Sequence, residues 1–236
     1  MSTQPPGELS AVLGTVVARL AHDVKNPLAV ILSNLRFLQM SIEDADDREA
    51  IEESLLSATR LDRMLDDAVD IQRLAAEAPL AAATPFALQE LEQPLRERVE
   101  LQAGRRTLEL TLPQRKLRVD RALLQRVLIN LLEHGFRNTP SGGTVTLRGE
   151  PGEAGLTLQV LDQGPGFSPG ATPSFLDSEL RVKQPPCEGH RSDQGLGLHF
   201  AGVAARAMGA QTDVRPRDDG ARGLCFELVF ARERLG

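Results

Sequence analysis

Seven consecutive residues, His22-Asp-Val-Lys-Asn-Pro-Leu28, combine an imidazole, a carboxylate, an ammonium and a carboxamide. His22 and Asn26 are four residues apart, so on a helix they share a face, while Asp23 sits one step round the cylinder. Pro27 has no N–H, so the carbonyl of Asp23 loses its helical partner and a bend just past the histidine is expected. An imidazole with an adjacent carboxylate, an amide on its own face and a local weak point suits a histidine that takes up and releases a group.

The elements that must position this histidine follow from the spacing of apolar residues. Leu13, Val17, Leu20, Val24, Leu28, Ile31, Leu35 and Leu38 recur at three and four, predicting a helix from Leu9 to Met40. Ser41–Asp47 is short, acidic and polar, a helix–helix connection. Ile51, Leu55, Ala58, Leu61, Leu65, Ala68 and Ile71 give a second stripe. Two helices with one apolar face each form an antiparallel hairpin that buries both faces only by pairing, so a four-helix bundle made by a homodimer is expected.

Composition sets the outer bounds. The 236 residues suffice for one large or two modest domains. Hydrophobic content of 41% and charged content of 25% are those of a soluble globular protein. A net charge of -6 argues against a nucleic-acid surface, and 3% aromatics without Trp or Tyr argue against base-stacking platforms. Cys187 and Cys225 lack metal-ligand spacing and read as free thiols of a reducing compartment. No apolar run approaches the roughly 18–20 residues of a membrane span, and the N-terminus lacks a signal peptide's regions. A cytoplasmic location is therefore expected.

Ala75–Pro85 is a stretch of small residues bounded by prolines, read as a linker. The pattern then changes. Helices are predicted over Phe86–Gln102, Asp120–Thr139 and Gly197–Met208, and strands over Thr107–Leu112, Thr144–Arg148, Leu156–Leu161 and Leu224–Phe230. The domain plan is residues 1–76 for the hairpin, 77–85 for the linker and 86–236 for a second domain, an α+β arrangement with helices on one face of a mixed sheet.

Four stretches carry a family resemblance. His22–Leu28 resembles the H-box of two-component sensor histidine kinases. Asn130-Leu-Leu-Glu-His-Gly-Phe-Arg-Asn-Thr-Pro140 resembles the N-box of their ATP-binding domain, Asp162-Gln-Gly-Pro-Gly-Phe167 the G1 box, and Gly195-Leu-Gly-Leu198 the G2 box. All four occur in family order. The chain thus resembles a histidine kinase core, a dimerisation and phosphotransfer hairpin joined to a GHKL-type α/β sandwich. His22 comes so early that no sensor domain is expected before it, and input would arrive through a separate sensor protein or other partner.

The resemblance implies ATP with Mg²⁺ as ligands, autophosphorylation of His22, and onward transfer to an aspartate in the receiver domain of a response regulator. It makes His22, Asp23 and Asn26 the catalytic set: Asp23 fixes the imidazole tautomer and Asn26 orients water for regulator dephosphorylation. It assigns nucleotide contacts to Asn130, His134, Arg137, Asp162, Gly164, Gly166, Gly195, Leu196, Gly197 and Leu198, and the metal to Asn130 and His134. Asp162 at a strand end can accept the exocyclic amine of adenine, and Gly164 and Gly166 let the backbone approach the ring. At Gly195–Leu198 a Gly-rich loop runs into a helix whose first N–H groups favour phosphate. Ser168–Gln194, rich in Pro and Gly, is read as a lid with Phe175 as its apolar anchor.

Departures from the family pattern fall on the metal and phosphate sites. His134 stands where the family has a metal-binding Asn, and imidazole is a poor ligand for Mg²⁺, so Mn²⁺ is an alternative ion. Gly135 replaces Ala, Asn138 an aromatic, and Asp193 the first glycine of the G2 box. The alternative reading is a phosphotransfer protein or response-regulator phosphatase with a degenerate ATP site. A non-enzymatic dimeric scaffold has no need for His22, Asp23 and Asn26 together.

Overall fold

The structure, a computed structural model, describes residues 6–75, 83–153, 155–166 and 196–235. The chain divides into two compact units, Met1–Ala78 and Pro79–Gly236. The expected linker lies largely outside the described residues, as do Cys187, the lid with Phe175, Phe167, Asp193 and Gly195.

The first unit is a helical hairpin of α1 (Pro6–Ser41) and α2 (Ala45–Ala75). The helix runs on through Pro27. The connection is tighter than expected, because Asp44 caps α2 by accepting from the N–H groups of Asp46 and Asp47 at 3.0 and 3.1 Å. Leu28, Leu32 and Ala58 form its core, with Leu35, Leu55 and Leu65 packed round them.

The α1 stripe needs correction. Ala21, Leu28, Leu32 and Leu35 turn inward, whereas Leu20, Val24, Ile31 and Leu38 are 41–59% exposed. A helix rich in apolar residues offers two adjacent seams, and one partner helix covers only one. Val16, Val30, Phe37 and Met40 add to the uncovered surface.

The second unit is built on a mixed five-stranded sheet in the order β2-β4-β5-β7-β6. Its strands are β2 (Thr107–Thr111), β4 (Thr144–Gly152), β5 (Gly155–Leu161), β6 (Ala210–Pro216) and β7 (Leu224–Ala231). The β2–β4 pair is parallel and the others are antiparallel. Helices α3 (Glu92–Ala103), α4 (Arg121–Asn138) and α5 (Gly197–Ala207) bury their apolar faces, with Leu124, Leu128, Leu131, Leu132, Phe136 and Phe200 at most 1% exposed. Leu147, Leu158, Val160, Leu228 and Phe230 alternate along the strands and are equally buried, each such burial contributing about 1.5–3 kcal/mol.

The opposite face is polar. Arg148 donates to Gln159 at 2.8 Å, Gln159 to Glu227 at 2.6 Å, and Arg215 to Glu227 at 3.1 Å. Four neighbouring strands are thereby tied by side chains outside the core.

The predicted Phe86–Gln102 helix is three elements instead. Phe86 lies in β1 (Pro85–Ala87), antiparallel to β3 (Lys116–Arg118), followed by a 3-10 turn at Leu88–Leu91 and then α3. Phe86, Leu88, Leu91 and Leu95 are all buried, so apolar spacing alone does not reveal the change of backbone. Strand β6 was also not predicted: it is an edge strand whose outward residues Gln211, Asp213 and Arg215 are polar, so it carries a weak apolar signal.

Candidate active site

His22 stands out from the hairpin because its neighbours take the inward positions. Ala21 and Leu28 are buried, and Lys25 reaches α2, where Nζ lies 2.6 Å from Asp66 Oδ1 and 3.5 Å from Asp62 Oδ1. The His22 side chain is 74% exposed. Its Nδ1 lies 3.3 Å from Asp23 Oδ1, so Nδ1–H donates to the carboxylate and Nε2 is the nitrogen with a lone pair. Asn26 is exposed one turn on.

In the second unit Asp120 caps α4 by accepting from Leu123 N–H at 3.0 Å, which sets the register of the helix carrying Asn130, His134 and Arg137. Asn130 Nδ2 donates to Arg126 O at 3.1 Å, leaving Oδ1 as the group presented outward. That oxygen faces the start of α5: a Cβ on Gly197 would come within 2.6 Å of it. Arg126 also lies over the Phe200 ring, 4.3 Å from its centroid, joining α4 to α5. Leu196 precedes the helix and Leu198 is buried in it. Arg137 is exposed in the last turn of α4.

Two of the family departures form one pair. His134 Nε2 is 2.9 Å from Asn138 Nδ2, which donates to it, and the imidazole meets Phe226 edge-on at 5.2 Å. Gly135 has its own reason, since a Cβ there would sit 2.9 Å from Val145 Cγ1 on β4. Its absence lets α4 lie close on the sheet.

Asp162 follows β5 and is 1% exposed. Oδ1 accepts from Gly164 N–H at 2.8 Å and Leu224 N–H at 3.1 Å. Oδ2 is buried without a hydrogen-bond partner among the described residues. Burial pushes the carboxyl above its usual range, opposed by the two N–H donors and by the Arg217 guanidinium. A buried acceptor with one oxygen fixed and the other unsatisfied fits a ligand that brings an N–H group, as an amino-substituted base does.

The surrounding backbone is closely fitted. Gly166 has φ +80°, and a Cβ on Gly164 would be 3.0 Å from that of Asn138. Gly223 has φ +124°, and a Cβ there would lie 2.0 Å from Asp162 O. Thr139 Oγ1 accepts from Gln163 N–H at 3.0 Å, and Gln163 Oε1 from Thr144 N–H at 3.0 Å, tying the end of α4 to the Asp162 turn.

The second unit therefore brings Asn130 against Gly197, His134 against Asn138, and Asp162 against Gly164. Thr139, Gln163, Arg217, Gly223 and Leu224 were not singled out from the sequence. Thr139 lies inside the N-box stretch, but Arg217 and Gly223 are separated from Asp162 by over fifty residues and meet it only through strand pairing. Cys225 is buried and its thiol is pushed up to about 11, chiefly by burial, so it is an inert core residue. No group of three or more metal-ligating side chains occurs among the described residues, and no described helix is long and apolar enough to cross a membrane.

A two-helix hairpin that exposes a histidine, followed by an α/β domain with a buried carboxylate at a strand end, has the architecture of a histidine kinase core. Comparison with known proteins gives the family. Residues 12–77 match the His Kinase A (phospho-acceptor) domain, and residues 119–234 match the histidine kinase-, DNA gyrase B- and HSP90-like ATPase domain. By both domains the chain belongs to the sensor histidine kinase family.

Among its relatives, the sensor histidine kinase Hik2 of Thermosynechococcus vestitus is 30% identical over 221 residues, covering 89% of this chain and 57% of that protein. The sensor protein kinase PilS of Pseudomonas aeruginosa is 29% identical, covering 95% and 42%. The chain thus spans about half the length of these relatives. Among solved structures, full-length ShkA in complex with AMPPNP superposes with a TM-score of 0.68 at 22% identity, covering 91% of this chain and 45% of that one. The Acinetobacter baumannii histidine kinase AdeS gives 0.61 at 17%, covering 89% and 98%. At such identities these structures support the fold alone.

Proposed function

We propose that this chain is an ATP-dependent protein histidine kinase that phosphorylates His22 and passes the phosphoryl group to a response-regulator aspartate. The observation that carries the reading is Asp162, a buried carboxylate with one oxygen held by two N–H groups and the other left to accept from adenine's exocyclic amine. Gly164 and Gly166 flank the base, Leu196–Leu198 lie toward the phosphates, and Arg137 supplies a cation there.

In the transfer, the Nε2 lone pair of His22 forms the N–P bond as the β,γ-bridging P–O bond breaks and ADP leaves. The Nδ1 proton stays toward Asp23, whose charge balances the positive charge gained by the ring. The phosphoryl group then moves to the regulator aspartate and restores the neutral imidazole. Asn26 orients water when the regulator is dephosphorylated.

Bound Mg²⁺ or Mn²⁺ would neutralise charge on the transferring group. Asn130 fits such an ion, because its amide donates back to Arg126 and its oxygen is presented. His134 would serve through Nε2 only by releasing Asn138. That hydrogen bond favours a second reading, a phosphotransfer protein or regulator phosphatase that no longer uses ATP.

The uncovered Leu20, Val24, Ile31 and Leu38 support a homodimer through the hairpin. A separate sensor protein is proposed as the source of input, and the cytoplasm as the location. The test is incubation with γ-labelled ATP and Mg²⁺ or Mn²⁺, with His22→Ala as control. Acid-labile label lost in the variant is the expected result. No label in the parent, with phosphate still accepted from a phosphorylated regulator, would leave the second reading.

A further inference from the structure

The connection from β6 to β7 closes on Asp162. Asp162 N–H donates to Leu224 O at 3.0 Å, Leu224 N–H donates back to Oδ1, and Gly223 presses against Asp162 O. Into this corner comes Arg217, whose side chain is only 11% exposed and which donates from a terminal guanidinium nitrogen to Asp162 O at 3.0 Å. Its other nitrogens are held by Asp219, through Nε at 3.0 Å and the second terminal nitrogen. Asp219 is itself anchored by Ala221 N–H, and its carboxyl is pulled down to about 2, first by Arg217.

Resting on the kinase reading, we propose that Arg217 is the positioning residue that sets the nucleobase preference of this site. It fixes the strand-end backbone of Asp162 and holds a cation beside the carboxylate, so that the carboxylate meets the base as an acceptor. An acceptor there matches a 6-amino purine, which brings N–H donors, and opposes a 6-oxo purine, which brings a carbonyl. A protonated Asp162 would do the reverse and donate to the 6-oxo group. A backbone carbonyl alone needs only a neutral donor, so the charge of Arg217 is the distinguishing feature.

Among the described residues, Arg217 is the cation whose charge acts on Asp162. Asp219 is engaged with Arg217. Cys225 on β7 is held as a thiol by burial. On α4, where a Cβ at Gly135 would approach that of Asp162 to 3.6 Å, the adjacent His134 is engaged with Asn138 and Phe226. Burial drives Asp162 toward protonation, and the Gly164 and Leu224 N–H groups and then Arg217 oppose it, so removing the cation moves the acid limb of adenine binding to higher pH.

The test is calorimetric titration of ATP and of inosine triphosphate into the full chain and its variants between pH 5.5 and 8.5. Arg217→Gln keeps a donor and removes the charge; Arg217→Lys keeps the charge. Expected for Arg217→Gln is an acid limb displaced to higher pH, with weaker ATP binding on that limb and a narrowed preference for ATP over inosine triphosphate. Arg217→Lys restores both. Asp219→Asn removes the anion paired with Arg217 and leaves the cation in place, so it moves the limb the opposite way, to lower pH, by less.

Profiles of Arg217→Gln that superpose on the parent overturn the inference while leaving the kinase reading standing. So does failure of Arg217→Lys to restore the profile. If Arg217→Gln does not fold, the Lys and Asp219→Asn variants decide, and unchanged profiles in Asp219→Asn then overturn it. A parent that binds neither nucleotide overturns the inference together with the reading beneath it.

Discussion

Gly197→Ala perturbs Asn130 while leaving the fold nearly as stable. The new Cβ would stand 2.6 Å from Asn130 Oδ1 and 3.3 Å from Cγ. Ordinary contact begins near 3.4 Å, so the carboxamide must retreat by about 0.8 Å. Asn130 is half-buried and can turn away at the expense of its bond to Arg126 O, a loss of about 1 kcal/mol. Against this, Ala at a helix start gains about 0.4–1 kcal/mol by restricting the unfolded chain, and Gly197 has no positive φ to forbid it. The two effects nearly cancel.

The melting temperature of Gly197→Ala should therefore stay within a few degrees of the parent. Catalysis should not survive so well, because displacing a group by about 1 Å at a phosphoryl-transfer site costs about a hundredfold in rate. The assay pairs a thermal melt with the initial rate of His22 labelling from γ-labelled ATP. A variant that melts normally and labels at the parental rate would refute the placement of Asn130 at the reacting phosphates. A variant that unfolds would refute the cancellation.

Asp162→Asn should raise the melting temperature of the nucleotide-free chain at pH 7–8 while weakening adenine nucleotides about tenfold or more. The sign follows from the raised carboxyl: the fold loses stability as pH rises through that pKa, and the gain from Asn should vanish below the ordinary Asp range near 3.9, as a melt series in pH would record. Asn138→Ala removes the donor to His134 Nε2, so labelling supported by Mn²⁺ should rise relative to Mg²⁺ by severalfold; an unchanged ratio would place His134 away from the metal. Lys25→Met breaks the links to Asp62 and Asp66 across the hairpin and should cost at most about 1 kcal/mol, less at high salt, because the groups are a third or more exposed. The Lys25 pKa is raised, first by Asp66, so this stabilisation holds below the ordinary Lys range and disappears as pH climbs above it, measurable as convergence of parent and variant melts in alkali.

Features that are local along the chain are legible in the residues themselves. The hairpin is written in apolar residues at three and four, and the exposure of His22 follows from the inward places of Ala21 and Leu28. The Asp162 turn is legible because its glycines sit two and four residues from the carboxylate. Tertiary structure alone decided which of two adjacent α1 seams turns inward, since helical periodicity fixes spacing and not the direction of a partner. It also decided the company of Asp162. Strand β7 pairs Leu161 with Cys225, and so brings Leu224, Gly223 and Arg217 onto a residue that lies over fifty positions away. His134 and Asn138 read as separate departures from a pattern. They are one hydrogen-bonded pair because a helix returns to the same face after four residues, and because Phe226 closes the space beside them.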